Sequence, residues 1–134
     1  MLREATSKDT VHILGLIKEL AAFEREHALF VEKHCSALVW DDSEKGVIAF
    51  ALYYFGYSTW KGKTVYLEDL YVKPEFRQLK IGEQLFDAVV DVAKKAGVRR
   101  MDWQVLEWNT PAIKFYEKKG ATLDGEWING RLYF

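Results

Sequence analysis

The chain has 134 residues, 49% of them apolar, which suits a single domain over residues 1–134 with a real core. Nineteen basic against twenty acidic residues leave a formal charge of −1, so no global field exists to hold nucleic acid or an anionic membrane. No stretch reaches the roughly 20 apolar residues of a membrane span and no signal peptide is visible; Cys35, the one cysteine, excludes an internal disulfide and fits a reducing compartment, with the cytoplasm as the default.

A short strand is expected over residues 2–4, followed by a helix that Ser7 caps and whose apolar positions are Val11, Leu14, Leu16, Ile17, Leu20 and Ala21. Residues 35–40 and 47–55 read as a hairpin around the polar turn 41–46, and a second turn over 58–63 leads into the apolar run 64–72, which Pro74 closes. The clearest helix carries Ile81, Leu85, Phe86, Val89, Val92 and Ala93 on one face and stops at Gly97. Met101, Trp103 and Val105 alternate with polar residues as a strand. Asn109-Thr110-Pro111 then starts a helix that Gly120 ends, and a last strand is expected near residues 132–134. The result is mixed β and α around one sheet.

Two carboxylates, Glu68 and Asp69, sit inside the apolar run, where burying either one unpaired costs on the order of several kcal/mol or forces its pKa upward. Adjacent side chains alternate faces, so both point one way only if a bulge intervenes; a surface ion pair is the alternative reading. The loop Arg77-Gln78-Leu79-Lys80-Ile81-Gly82 ends at a helix N-terminus, whose free amides and positive dipole end favour phosphate, although a solvated loop is an equal reading of the pattern. His12, His27 and His34 lack metal-ligand spacing and read as surface or capping residues.

An ordered set of segments resembles the GNAT N-acetyltransferases, and within them the diamine (spermidine/spermine) and thialysine enzymes. Its carriers include Ile17-Lys18-Glu19-Leu20 with Phe23-Glu24, Trp60-Lys61-Gly62-Lys63, Tyr66 to Val72, Arg77 to Gly82, and Glu107-Trp108-Asn109 with Phe115-Tyr116. The resemblance implies an α/β fold with a splayed, mixed, mostly antiparallel sheet. It also implies acetyl-CoA as co-substrate and no metal. The backbone of Leu70, Tyr71 and Val72 would pair with the pantetheine arm, Arg77, Gln78, Leu79, Lys80, Ile81, Gly82 and Glu83 would hold the pyrophosphate, and Asn109 and Tyr116 would face the thiol. Glu68 would take a proton from the incoming ammonium, with burial raising its basicity, while strand amides stabilise the oxyanion and Tyr116 protonates the departing thiolate. For Tyr116 the structural alternative is a core aromatic.

A small-molecule amine, polyamine or lysine-like, would lie among Phe23, Glu24, Trp60, Glu68, Asp102, Trp103, Gln104, Trp108 and Glu126, with plain packing as the alternative for Trp60 and Trp108. Another amine substrate (an aminoglycoside, an amino acid or a protein) and a non-catalytic acyl-CoA-binding module are the competing readings. A homodimer without nucleic-acid or membrane partners completes the expectation. The chain departs from the family pattern in two places. Gln78 and Lys80 stand where the family carries glycine, and the stretch between Glu24 and Cys35 is shorter than usual. A left-handed backbone at Lys80 would cost on the order of 1 kcal/mol.

Overall fold

The computed structural model describes residues 1–20 and 33–134, without the side chains of residues 18–20; the expected positions Ala21, Phe23, Glu24 and His27 lie outside the described residues. The chain divides into two compact units, residues 1–103 and 104–134.

The first unit is a five-stranded sheet in the order β1 (Leu2–Glu4), β2 (Ser36–Asp42), β3 (Gly46–Ser58), β4 (Gly62–Val72) and β5 (Arg100–Asp102). The first four strands pair antiparallel and β5 joins β4 in parallel, the mixed and mostly antiparallel sheet expected from the resemblance. Helix α1 (Thr10–Leu20) packs Ile13 and Leu16 against Ala37, Val39, Val47 and Phe50, with Leu52 and Tyr71 at the margin. Helix α2 (Ile81–Lys95) buries Ile81, Leu85, Phe86, Val89 and Ala93. A Cβ placed on its Gly82 would meet Val72 Cγ2 at 3.4 Å. Tyr71 and Val72 are neighbours on one strand and so point to opposite faces, which puts α1 and α2 on opposite sides of the sheet.

Several boundaries differ from the expectation for local reasons. The first helix is not capped by Ser7. The Asp9 carboxylate reaches back to the amide and hydroxyl of Thr6 at 2.8 and 3.1 Å, so a 3-10 turn over Ser7–Asp9 precedes α1. Val11 is exposed, and the buried stripe runs through Ile13 and Leu16. The strand expected to reach Val105 stops at Asp102, where Trp103 packs edge-on against Phe86 of α2 with ring centroids 5.4 Å apart.

Arg3 ties this end of the unit together. It donates to both Asp9 oxygens at 2.7 and 2.6 Å and to Asp41 Oδ2 at 3.0 and 2.7 Å, joining β1, the turn before α1 and the end of β2. The Arg3 guanidinium holds the Asp9 carboxyl far below the usual carboxylate range, against the opposing effect of burial.

Both α2 and the helix of the second unit, α3 (Thr110–Lys118), end alike. After α2, Gly97 takes φ 71° while its amide donates to Lys94 and that of Val98 to Ala93. After α3, Gly120 takes φ 82° and the amides of Gly120 and Ala121 donate to Glu117 and Tyr116. Asn109 caps α3 through its side-chain oxygen, which accepts from the Ala112 amide at 3.3 Å. No strand forms at residues 132–134: the second unit holds no other strand to pair with, and Leu132, Tyr133 and Phe134 are exposed.

Gln78 and Lys80, just before α2, adopt φ values of 65° and 60°. Each is a non-glycine residue in the left-handed region, which costs on the order of 1 kcal/mol. Lys80→Gly is therefore expected to stabilise the fold by up to about 1 kcal/mol, less the extra chain entropy that glycine brings to the unfolded state, read from the urea midpoint at unchanged slope. Asp9 has a depressed pKa, so its contribution is present above the unfolded value of about 3.9 and is lost as pH falls below it. Asp9→Asn should lower stability at pH 7 by on the order of 2 kcal/mol and narrow the gap in Tm between pH 7 and pH 3.

Candidate active site

β4 is paired unequally along its two edges. On one side β3 follows it throughout, but β5 meets only Thr64, Val65 and Tyr66. From Leu67 to Val72 the second edge has no strand partner among the described residues. The Lys73 amide donates to the Ile48 carbonyl at 3.0 Å, and alternation along an antiparallel pair then turns the Tyr71 backbone toward β3 and those of Leu70 and Val72 toward the open edge. The Arg77 Nε donates to the Val72 carbonyl at 3.0 Å, which places that oxygen on the open side, and the Arg77 guanidinium lies 5.8 Å from the Tyr71 ring centroid.

Next to this edge is the α2 N-terminus. The helical ladder begins where the Gln84 amide donates to Lys80, so the amides of Ile81 and Gly82 precede it and have no acceptor within the helix. Gln78, Leu79 and Lys80 are exposed, whereas Gly82 and Glu83 are half-buried. Gly82 brings the helix start against Val72, where an added Cβ would be in van der Waals contact.

The carboxylates stand on a bulge. Leu52 pairs with Asp69 and Tyr53 with Leu67, so Glu68 is the extra residue on β4. The insertion breaks alternation and brings Glu68 to the face that Asp69 and Leu52 share, the condition under which both carboxylates point one way. On that face the Glu68 charge reaches the Cys35 thiol and the Tyr54 hydroxyl, and it adds to the burial that pushes each of them up. The expected burial of Glu68 does not occur, because this residue is exposed. The desolvated carboxyl is its neighbour Asp69, raised first by burial and then by the Glu68 charge.

The other expected site residues are spread over both units. In the first, Asp102 accepts from Arg100 Nε at 2.9 Å, and Trp103 faces α2 through Phe86. Trp60 is 91% exposed at the tip of the β3–β4 hairpin, so packing does not explain it. In the second unit, Tyr116 is half-buried with its ring 5.2 Å from that of Phe115, and burial pushes its hydroxyl up. There, Gln104 donates to Asn129 at 3.0 Å, the Glu126 amide donates to Asp124, and Trp108 is 75% exposed. His12 and His34 are exposed. Among the described residues, no three of His, Cys, Asp and Glu gather as a metal would require, and no helix is long and apolar enough to cross a membrane. Sequence reasoning passed over Tyr54 and Tyr66, which stack across the two strands at 5.2 Å on the Glu68 face. Their signal was the hairpin register, which aligns them.

Comparison with known proteins gives the family. The profile of the acetyltransferase (GNAT) family matches residues 4–121. A thialysine N-epsilon-acetyltransferase of Bos taurus is 39% identical over 141 positions, covering 90% of this chain and 83% of the relative. Those 141 positions exceed the whole 134-residue chain, so the bovine protein carries residues that this one lacks. The human spermidine/spermine N(1)-acetyltransferase-like protein 1 is 32% identical across 90% of this chain and 20% of its own length. Among solved structures, an aminoglycoside N-acetyltransferase AAC(6')-Iy in complex with CoA superposes with a TM-score of 0.83 over the full length of both chains at 24% identity, a likeness of fold. Profile, relatives and architecture agree: the chain is a member of the acetyltransferase (GNAT) family.

Proposed function

We propose that this protein moves the acetyl group of acetyl-CoA to a primary amine on a small molecule of polyamine, diamine or thialysine-like type, and that residues 1–134 act as one domain. The family profile runs through both units, and the thialysine-acetylating relative supports the class of amine. The observation that carries the reading is the unpaired edge of β4 beside the first amides of α2. A pantetheine arm has amide groups that complement the outward backbone of Leu70 and Val72, as a further strand would. A pyrophosphate fits the amides of Ile81 and Gly82 at the positive end of α2, with Arg77, Gln78, Leu79, Lys80 and Glu83 around it. The Lys80 ammonium adds a charge where a glycine would offer only its amide.

When bound, acetyl-CoA supplies a thioester carbonyl to the amine. The protein's residues manage the protons. An alkylammonium with a reference pKa of about 10.4 has no lone pair at neutral pH, so a base must free it. Glu68, exposed on its bulge, is the proposed acceptor of that proton through a water, and Asp69 keeps a second carboxyl on the same face. Tyr116, a phenol protonated at neutral pH and pushed further up by burial, is the donor to the leaving sulfur, with Asn109 at the head of the same helix. A cationic chain is drawn to this face by Glu68 and Asp102, and Phe23, Glu24, Trp60, Trp103, Gln104, Trp108 and Glu126 complete the proposed substrate set. We extend the proposal to a cytoplasmic homodimer. Cys35 is a free thiol, as a reducing compartment allows, and the exposed Trp127, Ile128, Leu132 and Tyr133 are apolar side chains that a second copy would cover.

Acetyl-CoA at 100 times its Kd should stabilise the protein by about 2.7 kcal/mol in thermal unfolding, and no shift at saturating coenzyme would remove the reading. Tyr116→Phe should lower kcat by on the order of 100-fold with acetyl-CoA affinity unchanged, measured by thiol release over a panel of amines. Glu68→Gln should cost most at low pH, and its deficit should shrink as pH approaches the amine's own pKa, where the nucleophile is already free. A wild-type pH profile in that variant would assign the base elsewhere.

A further inference from the structure

The open edge of β4 is not bare at the end nearest α2. After Val72 the chain doubles back through the 3-10 turn Pro74–Phe76, where the amides of Phe76 and Arg77 donate to the carbonyls of Lys73 and Pro74 at 2.9 and 3.2 Å. This reversal returns Arg77 to the strand that the chain has just left. Its Nε donates to the Val72 carbonyl at 3.0 Å, and the guanidinium lies 5.8 Å from the Tyr71 ring centroid. An N–H aimed at that oxygen from outside the sheet does what the amide of a neighbouring strand would do. The side chain therefore fills the last position of the edge that the proposed pantetheine arm would pair with. Arg77 is exposed, and among the described residues no carboxylate forms an ion pair with it.

We infer that Arg77 is a specificity-determining residue for the acetyl donor: its guanidinium stands in the place of the arm until a pyrophosphate draws it away, so that coenzyme A thioesters are favoured over pantetheine thioesters that lack phosphate. The inference rests on the acetyl-CoA reading above and adds to it a discrimination among donors. An arm without phosphate offers Arg77 nothing in exchange for the Val72 carbonyl, so it binds only the fraction of molecules in which that bond is already broken. A pyrophosphate at the Ile81 and Gly82 amides does offer an exchange. Charge-assisted bonds from a guanidinium to phosphate are stronger than one bond to a neutral carbonyl. The second lone pair of the Val72 oxygen does not relieve the conflict, because a chain lying along the edge needs the space that the guanidinium takes. Arg77 belongs to the loop that leads into α2, so the move is a change of side-chain torsions with the backbone left in place.

The test compares Kd for pantetheine and for coenzyme A, read by NMR titration of 15N-labelled protein, in the wild type, Arg77→Met and Arg77→Lys. Arg77→Met removes both the bond to Val72 and the phosphate partner. It should bind pantetheine about threefold more tightly and coenzyme A about threefold more weakly. Arg77→Lys keeps a cation but loses Nε, so it should tighten pantetheine by the same factor and weaken coenzyme A less. A merely structural role would move both ligands in one direction. The side chain is exposed, so both variants should keep the wild-type Tm without ligand. Pantetheine affinity no higher in Arg77→Met than in the wild type overturns the inference and leaves the coenzyme reading standing. A wild-type protein that does not bind coenzyme A defeats that earlier reading, and the inference falls with it.

Discussion

Backbone groups inside a sheet must be paired or solvated, and past Tyr66 the strand β4 finds a strand partner, among the described residues, on one edge alone. Along Leu67 to Val72 the edge facing away from β3 is left to water, to Arg77 at the Val72 carbonyl, or to a ligand that imitates a strand. A fully paired sheet would present no such groups, and a long open edge would invite another chain. Here the opening is short and is closed at its far end by the turn through Pro74 and the start of α2. That combination limits the length of edge open to another strand. The packing of Gly82 on Val72 holds the helix start at its rim.

The chemistry follows from the same strand. Asp69 is half-buried, and its carboxyl is pushed up; Glu68, next to it in sequence, is exposed and keeps contact with solvent. Two acids of similar intrinsic strength thus acquire different surroundings within one step of chain. The proposed role of proton acceptor falls to the exposed member, which can release its proton to water. The buried member stays on the same face and adds to the local attraction for cations when ionised.

Most of the architecture was legible in the sequence because its signals are strong and local. The apolar stripe of α2, the glycine after each of α2 and α3, and the asparagine cap of α3 all appear where pattern and end-group chemistry place them. The first-turn cap was misread because Asp9, rather than Ser7, closes the turn by reaching back to Thr6, a choice between neighbouring polar residues that spacing does not decide. The expected strands near Val105 and Leu132 needed partners, and pairing is a property of the sheet rather than of the segment. The site shows the same division. Glu68 was singled out by its presence in an apolar run, and the family resemblance marked Lys80. Tyr54 and Tyr66 could not be joined without the register of β3 on β4, and the exposure of Glu68 depended on an insertion whose place the pattern leaves open.

That insertion also changes how the strand tolerates alteration. Because Glu68 is one residue in excess of the β3 ladder, replacing its side chain changes chemistry but keeps the phase of everything on either side. Removing the residue outright would instead re-time the strand. Leu67 and Asp69 would fall into simple succession, and one half of β4 would have to turn its inward and outward positions over. Substitution and deletion at this one site are thus different kinds of perturbation, the first confined to a carboxylate and the second propagated along the strand into the packing of both helices.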